Sequence, residues 1–375
     1  MKNLSTGTGL NHAVRVTVAA LSIVLGLGAA VPAAAQCPGD LTGNGLVNGA
    51  DLGLVLAAWA SDGTDQPGSD VNQDGIVNGA DLAFVLGAWG NCPAGGTVRA
   101  WGHNSFGQCD VPTDLGPCIA IAGGRWHTIA LRTDGTVRAW GSNSLGQCSV
   151  PTDLGPCTAI AGGWEHTIAL RTDGAVRAWG SNGAGQCHVP ASLGTCTAIA
   201  GGRYHTIALR ADGQVRAWGN NWYGQLRNPR NLGTCTAVAA GDFHNVAMGT
   251  DGTATAWGAG RSDENTSPHW GQSNVPEDLG HCLAIAAAHN HSVALRSDGA
   301  VRAWGYNGFG QCDVPTDLGQ CTAIAAGMHH TIALRTDGIV NAWGWNDYGQ
   351  GNIPADLGPC TAIAAGWYHS IAIQR

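Results

Sequence analysis

Apolar positions between residues 97 and 375 fall in runs of five or six, too short for helices, and many alternate on a two-residue period. The stretch Val137–His166 sets the pattern: VRAWG, a variable tetrad, GQC, SVPTDLGP, CTAIAGG, two variable residues and a histidine. CTAIA predicts a short apolar strand, and HTIALR a second in which Ile and Leu alternate with Thr and Ala. Asp-Gly steps (Asp134-Gly135, Asp173-Gly174, Asp212-Gly213, Asp337-Gly338) predict two-residue hairpins leading into a third strand, xVRAWG. The GQC-x-V-P segment predicts a fourth strand, which its proline confines to an edge.

This unit occurs seven times. The AWG tryptophans stand at Trp101, Trp140, Trp179, Trp218, Trp257, Trp304 and Trp343, 39 residues apart except for one gap of 47. A histidine opens each second strand, at His127, His166, His205, His244, His291, His330 and His369. Four antiparallel strands per period predict a seven-bladed β-propeller over 93–375. The first copy begins at Thr97–Gly102 without its first two strands, and the last ends at HSIAIQR without its third. Pairing them completes one blade and removes both free edges.

Residues 36–92 follow a different rhythm. GDLTGNGLVNGADLGLVLAAW is echoed 30 residues later by SDVNQDGIVNGADLAFVLGAW, each loop followed by apolar residues at helical spacing (Leu52, Val55, Leu56, Trp59; Leu82, Val85, Leu86, Trp89). Both obey EF-hand grammar, with oxygens at positions 1, 3, 5, 7, 9 and 12 and glycine at 6. The first loop offers Asp40, Thr42, Asn44, the Leu46 carbonyl, Asn48 and Asp51; the second offers Asp70, Asn72, Asp74, the Ile76 carbonyl, Asn78 and Asp81. Two Ca2+ sites are expected in a small α-helical domain. Met1–Ala35, with Lys2 and Arg15, an apolar run over Val16–Val31 and Ala33-Ala34-Ala35, reads as a secretory signal, leaving no membrane span after cleavage and placing the protein outside a bacterial cell or on its surface.

Lys2 is the sole lysine, so the mature chain carries 16 Arg against 26 acidic residues, a balance of −10. Nucleic acid is thereby excluded as a partner, since phosphate backbones demand clustered cations. Four copies hold Cys-x8-Cys (Cys109/Cys118, Cys148/Cys157, Cys187/Cys196, Cys312/Cys321), a spacing that fits no zinc pattern and favours four intrablade disulfides over the rival role of small buried hydrophobes; a Cys37–Cys92 bridge would join the ends of the calcium module. One histidine per blade lies on too wide a ring to ligate a metal, so each is expected to bond backbone across its turn. The repeated tryptophans are expected in the core, and the repeated arginines (Arg138, Arg177, Arg216, Arg302) along blade surfaces. Glu165 beside His166 and Asp242 near His244 have no recurring nucleophile, so no enzyme activity is expected.

The motifs G-x-x-H-[TS]-[IV]-A-L, DG-x-V-R-A-W-G and N-x-x-G-Q resemble the regulator of chromosome condensation repeat family, and the short period resembles its secreted bacterial subgroup of propeller-type β-lactamase inhibitors. That resemblance implies a seven-bladed fold and a protein-binding role. The doubled D-x-[NT]-x-[DN]-G-x-V-N-x-x-D-L motif resembles a type I dockerin, which implies calcium binding and a cohesin-like scaffold as partner. Positions 10 and 11, the family's partner-contacting pair, are Gly49-Ala50 and Gly79-Ala80.

Variation among the copies concentrates in two turns that an antiparallel meander sends to one face. The turns between first and second strands hold Arg125-Trp126, Trp164-Glu165, Arg203-Tyr204, Asp242-Phe243, His289-Asn290, Met328-His329 and Trp367-Tyr368. The loops after the third strands add Phe106, Trp222, Tyr223, Tyr306, Phe309, Trp345, Tyr348 and an insertion around Arg261–Trp270. Aromatics and scattered arginines on a rigid scaffold match protein-binding hot spots. The expected function is that of a secreted, non-enzymatic binding protein whose propeller face grips an extracellular protein or polysaccharide while the calcium module tethers it. Inhibition of an extracellular enzyme (protease or β-lactamase) and accessory service in polysaccharide degradation are the alternatives. Guanine-nucleotide exchange sits badly with export and negative charge.

Overall fold

The computed structural model describes residues 95–260 and 268–375, together with isolated positions 46–47, 52, 55–59, 77, 82 and 90–91 before them. The two calcium loops therefore lie almost wholly outside the described residues. What is described there is a pairing of Leu46–Val47 with Gly90–Asn91, a helical turn at 55–57, and burial of Val55, Ala58 and Val77.

In the repeat region the alternation closes into seven antiparallel sheets. The first blade comprises Cys118–Gly123, His127–Arg132 and Val137–Gly141. Blades two to four are Cys157–Gly162, His166–Arg171 and Val176–Gly180; Cys196–Gly201, His205–Arg210 and Val215–Gly219; and Cys235–Ala240, His244–Gly249 and Ala254–Gly258. Blades five and six are Cys282–Ala287, His291–Arg296 and Val301–Gly305, and Cys321–Ala326, His330–Arg335 and Val340–Gly344. The seventh joins the chain ends. Cys360–Ala365 and His369–Gln374 are completed by Thr97–Gly102, in the register His369↔Gly102 to Gln374↔Thr97. The same offset pairs His127 with Gly141 in blade one, so the closing strand sits as any other third strand does.

Each blade has three strands, which corrects the expected four. The GQC-x-V-P segment turns instead: Asn143 Oδ1 accepts from Cys148 N at 2.8 Å, Gln147 Oε1 accepts from Leu145 N at 3.0 Å, and the Gln147 side chain is buried. Proline removes a ladder donor where an edge strand would need one, and a buried glutamine that ties up its own loop replaces the ladder. The Asp-Gly hairpins are also longer than expected. Arg132 N donates to Thr136 O at 2.9 Å around Thr133-Asp134-Gly135, a three-residue turn with Gly135 at φ 78°. The two-residue loops are the variable ones: Gly124 N donates to His127 O at 2.8 Å across Arg125-Trp126.

First strands line the axis and pack side by side, and the apolar core lies between neighbouring blades. One cluster joins Val98, Ile371 and Ile373 of the closing blade to Ile129, Leu131 and Trp140 of blade one and Ile160 of blade two. The tryptophans are core residues as expected, with a polar duty besides: Trp140 Nε1 donates to Gln108 O at 3.1 Å, across the seam to the preceding turn. The surface arginines do more than cover: Arg138, Arg177, Arg302 and Arg99 bridge seams to Asp114, Asp153, Asp278 and Asp356 at 2.8–3.2 Å.

The disulfides are not formed: all eleven described cysteines are free. Cys148 Sγ donates to Ser142 O beside the loop after the third strand, whereas Cys157 N bonds Gly135 O beside the hairpin at the opposite end of the blade. SVPTDLGP spans that height and holds the two sulfurs apart. Burial pushes Cys109, Cys148 and Cys312 up to about 12 and Cys118, Cys157 and Cys321 to about 11, so these thiols behave as small buried hydrophobes. Cys37 and Cys92 lie outside the described residues.

Candidate functional site

Both variable turn sets emerge on one rim. Ser142 N donates to Trp126 O at 2.8 Å, tying the loop after the third strand to the hairpin beside it, and the other blades repeat this bond. Rings from the two sets therefore touch: Phe106 with Trp126 at 5.1 Å, Tyr204 with Trp222 at 6.2 Å, Tyr223 with Phe243 at 4.9 Å and Trp345 with Tyr368 at 5.7 Å. The Asp-Gly hairpins and PTDLGP turns meet on the opposite side, where Thr133 N donates to Pro117 O at 3.2 Å.

Within each two-residue hairpin the positions part company. First residues converge on the axis and form a hub. Arg125 and Arg203, from blades one and three, both stack on Trp164 of blade two, their guanidinium carbons 4.5 and 3.6 Å from its ring centroid. Trp164 also stacks with Trp367 at 5.3 Å and 18°. Glu165 lies 3.7 Å from Arg125, and the buried Asp242 lies 3.6 Å from Arg203 and 3.4 Å from His289. Burial pushes the Asp242 carboxyl up to about 7 against the pull of both arginines, and burial pushes His289 down to about 3. Beneath the hub is an axial cavity of about 20 Å3, walled by glycines with Trp164, Asp242, His289 and Trp367.

Second residues and loop aromatics form an outer annulus. Trp126 stacks on Tyr368 at 4.5 Å; Tyr348 meets Tyr368 at 5.6 Å and Trp345 at 5.2 Å; Phe309 follows at 5.7 Å, then Tyr306, and Trp270 packs on Tyr306 at 4.8 Å. This arc runs from blade four through blade seven to Trp126 in the hairpin of blade one, while the loops after the third strands of blades one and two carry the small residues Ser142–Ser144 and Ser181–Gly183. Phe106, Trp222, Phe309 and Tyr348 are exposed, Trp222 by 73%. Residues 261–267 of the insertion lie outside the described residues. Sequence reasoning missed His103, whose ring meets Tyr348 edge-on at 4.7 Å and Trp126 at 4.8 Å. A single histidine at a position held by Ser, Asn, Ala, Tyr or Trp in the other copies gave only a weak signal.

Under the rim runs a closed ring of histidines, which corrects their expected role. Each reaches the next blade's side chain, not its own turn: His127 to Thr167, His166 to Thr206, His205 to Asn245, His244 to Ser292, His291 to Thr331, His330 to Ser370 and His369 back to Thr128, at 2.8–3.2 Å. Thr128 Oγ1 spends its proton on Gln108 O at 2.7 Å, so His369 Nε2–H is the donor; the network assigns the same tautomer around the ring. In six of the seven blades the ring lies against the glycine three residues before it (Ala288 holds that place before His291), and a Cβ on Gly163 would overlap His166. Burial, reinforced in several by neighbouring rings, pushes His127 and His205 down to about 4 and His166, His244, His330 and His369 to about 3.

Neither acid–histidine pair is a dyad. Glu165 faces Arg125 while His166 faces Thr206, and Asp242 faces Arg203 and His289 while His244 faces Ser292. Among the described residues no three His, Cys, Asp or Glu side chains gather as a metal site. The arrangement offers stacking surfaces, guanidiniums and fixed carboxylates for contact.

Residues 118–147, 157–186, 196–225, 283–311 and 321–350 match the regulator of chromosome condensation (RCC1) repeat, and residues 38–87 match the dockerin type I domain. No curated protein matches the chain. Among solved structures, Prp20p from Saccharomyces cerevisiae, described with its binding to Gsp1p and histones, is 18% identical with a TM-score of 0.64 over 76% of this chain and 92% of that one. Human WBSCR16 is 19% identical with a TM-score of 0.63 over 74% and 99%. The ectodomain of the Arabidopsis thaliana receptor kinase ACR4 is 21% identical with a TM-score of 0.57 over 69% and 93%.

Proposed function

From the premise of an RCC1-repeat propeller carrying a dockerin-type segment, we propose an exported, non-catalytic binding protein: the rim of the propeller grips an extracellular macromolecule, and the calcium module anchors the pair. The gathering of aromatic turns on one side carries this reading. Turns stand on both faces of the ring, yet the large variable side chains belong to those of one face, and the rings of both variable sets touch one another. The binding to Gsp1p and histones reported for Prp20p lends support, as a propeller of this type that holds protein partners.

Calcium fits the donor set of the module. Asp40, Thr42, Asn44, Asn48 and Asp51, and Asp70, Asn72, Asp74, Asn78 and Asp81, supply hard oxygens at EF-hand spacing, with the Leu46 and Ile76 carbonyls at position 7. Two bound Ca2+ would offset four of the seven negative charges in a segment with no basic residue and so hold the module folded. The second loop, with three carboxylates, should bind more tightly than the first, with two. Anchoring to a cohesin-like scaffold belongs to this proposal.

Replacing the exposed Phe106, Trp222, Phe309 and Tyr348 together by alanine should abolish retention of the native partner from the source's secreted fraction at an unchanged melting temperature. Undiminished retention would refute the rim as the binding surface. Chelation should release the pair from its scaffold while leaving partner and propeller bound.

A further inference from the structure

The hub carries a charge pattern that says what the partner brings to the axis. Resting on the proposed binding role, we propose that Arg125 and Arg203 receive a single carboxylate, an Asp or Glu side chain projecting from a protein epitope.

Three observations converge. The hub arginines are poorly satisfied: their acids stand 3.7 and 3.6 Å away, whereas every other arginine–aspartate pair among the described residues closes to 2.7–3.2 Å. A charge-assisted contact wants about 2.7–2.9 Å, so these ion pairs are loose, and although Arg125 also reaches Tyr368 and Arg203 reaches Asp242, the Nε of each guanidinium has no partner. They are also pre-organised and reachable. Both stack on Trp164, and their side chains remain 28% and 26% exposed. Little rotamer freedom is then lost on binding. Finally, the loops after the third strands of blades five to seven carry Asp313, Asp347 and Asp110 and no Arg or Lys, so one side of the periphery is negative, whereas the hub holds two arginines beside Glu165 and Asp242.

The cavity below, at about 20 Å3, has room for a water but not for a side chain, so the carboxylate stays on the hub's outer surface. Around it the steep pairs Trp164–Tyr204 (70°), Trp345–Tyr348 (75°) and Tyr348–Tyr368 (81°) make clefts that admit side chains, beside the near-parallel pairs Trp164–Trp367 (18°) and Trp126–Tyr368 (20°). A protein epitope with one central acid and basic residues to one side is the complement.

The test uses the full chain with N-acetyl-aspartate amide and N-acetyl-asparagine amide as probes, read on the indole N–H resonances of Trp164 and Trp367. The aspartate probe should shift them saturably with a Kd on the order of 1 mM. The asparagine probe should bind at least tenfold more weakly. Arg203→Gln should weaken the aspartate probe at least tenfold, and Arg203→Lys should restore part of the loss at the same melting temperature. Equal responses to the two probes, no response, or an unchanged response in Arg203→Gln would overturn the inference. So would tighter binding of a galacturonate oligomer than of the aspartate probe, which would point to an acidic glycan. Because the exposed-ring variant leaves the hub intact, it should still bind the aspartate probe. Loss of partner retention in that variant beside a silent probe would sink this inference alone and spare the binding role.

Discussion

At the scale of the residue, the two positions of each hairpin have different fates that the sequence does not distinguish. Trp164 and Trp126 look alike in a chain of letters; one enters the axial hub and the other the outer annulus, because the two places of a two-residue loop point differently. Ile168, fully buried in the second strand of its blade, was legible as core from alternation alone, and Ile168→Ala should cost about 2–5 kcal/mol in a denaturant melt. Asp242 was visible as a variable residue but not as a buried one. Its carboxyl is pushed up to about 7 by burial, while an unfolded aspartate releases its proton near 3.9. The unfolded state therefore gains charge first, and stability falls as pH rises from about 4 to 7, then levels off. Asp242→Asn removes that loss: its advantage over the parent should be absent at pH 4 and reach about 1–4 kcal/mol at pH 7.5, as read by thermal melts across that range.

At the scale of the element, three strands per blade were readable because each shows a clean alternation between turn signals. The fourth was misread because GQC-x-V-P has the apolar letters of a strand but satisfies its donors through Asn and Gln side chains. The cysteine spacing suggested bridges for a similar reason, since eight intervening residues say nothing of an extended path along the blade. The denatured, unreduced propeller should accordingly titrate eleven thiols, and a reductant should leave its melting temperature unchanged. The histidine ring carries the strongest pH dependence. Its members are held neutral far below the ordinary 6.5, so stability is full above that value and is lost as pH falls, the unfolded chain taking up protons the fold refuses. Each such proton costs about 1.4 kcal/mol per pH unit, and seven together exceed the roughly 5–15 kcal/mol of a typical domain well before the rings' own pKa values are reached. An abrupt acid transition near pH 5, with several protons taken up at once, is expected in circular dichroism. A shallow loss spread over pH 6 to 3 would mean that the ring does not act as a unit.

At the scale of the whole molecule, the copy number and the split final blade disclosed the closed ring, because a period and two complementary incomplete ends leave one way to pair every edge. The side on which the variable aromatics gather was legible from the copies' mutual differences, whereas the hub's contacts needed six blades brought together and so had no signature in any single repeat. Closure by Thr97–Gly102 makes the rim continuous, and Trp101→Ala, which opens the seam where Trp101 Nε1 reaches Gln350 O at 3.0 Å, should lower stability by about 3–5 kcal/mol. The account as a whole is tested most directly by hydrogen exchange on the propeller alone and in complex with its native partner. Protection should concentrate in the hairpins at Arg125-Trp126, Trp164-Glu165, Arg203-Tyr204 and Trp367-Tyr368 and in the loops bearing Phe106, Phe309 and Tyr348. Protection centred on the Asp-Gly hairpins and PTDLGP turns of the opposite face would contradict it.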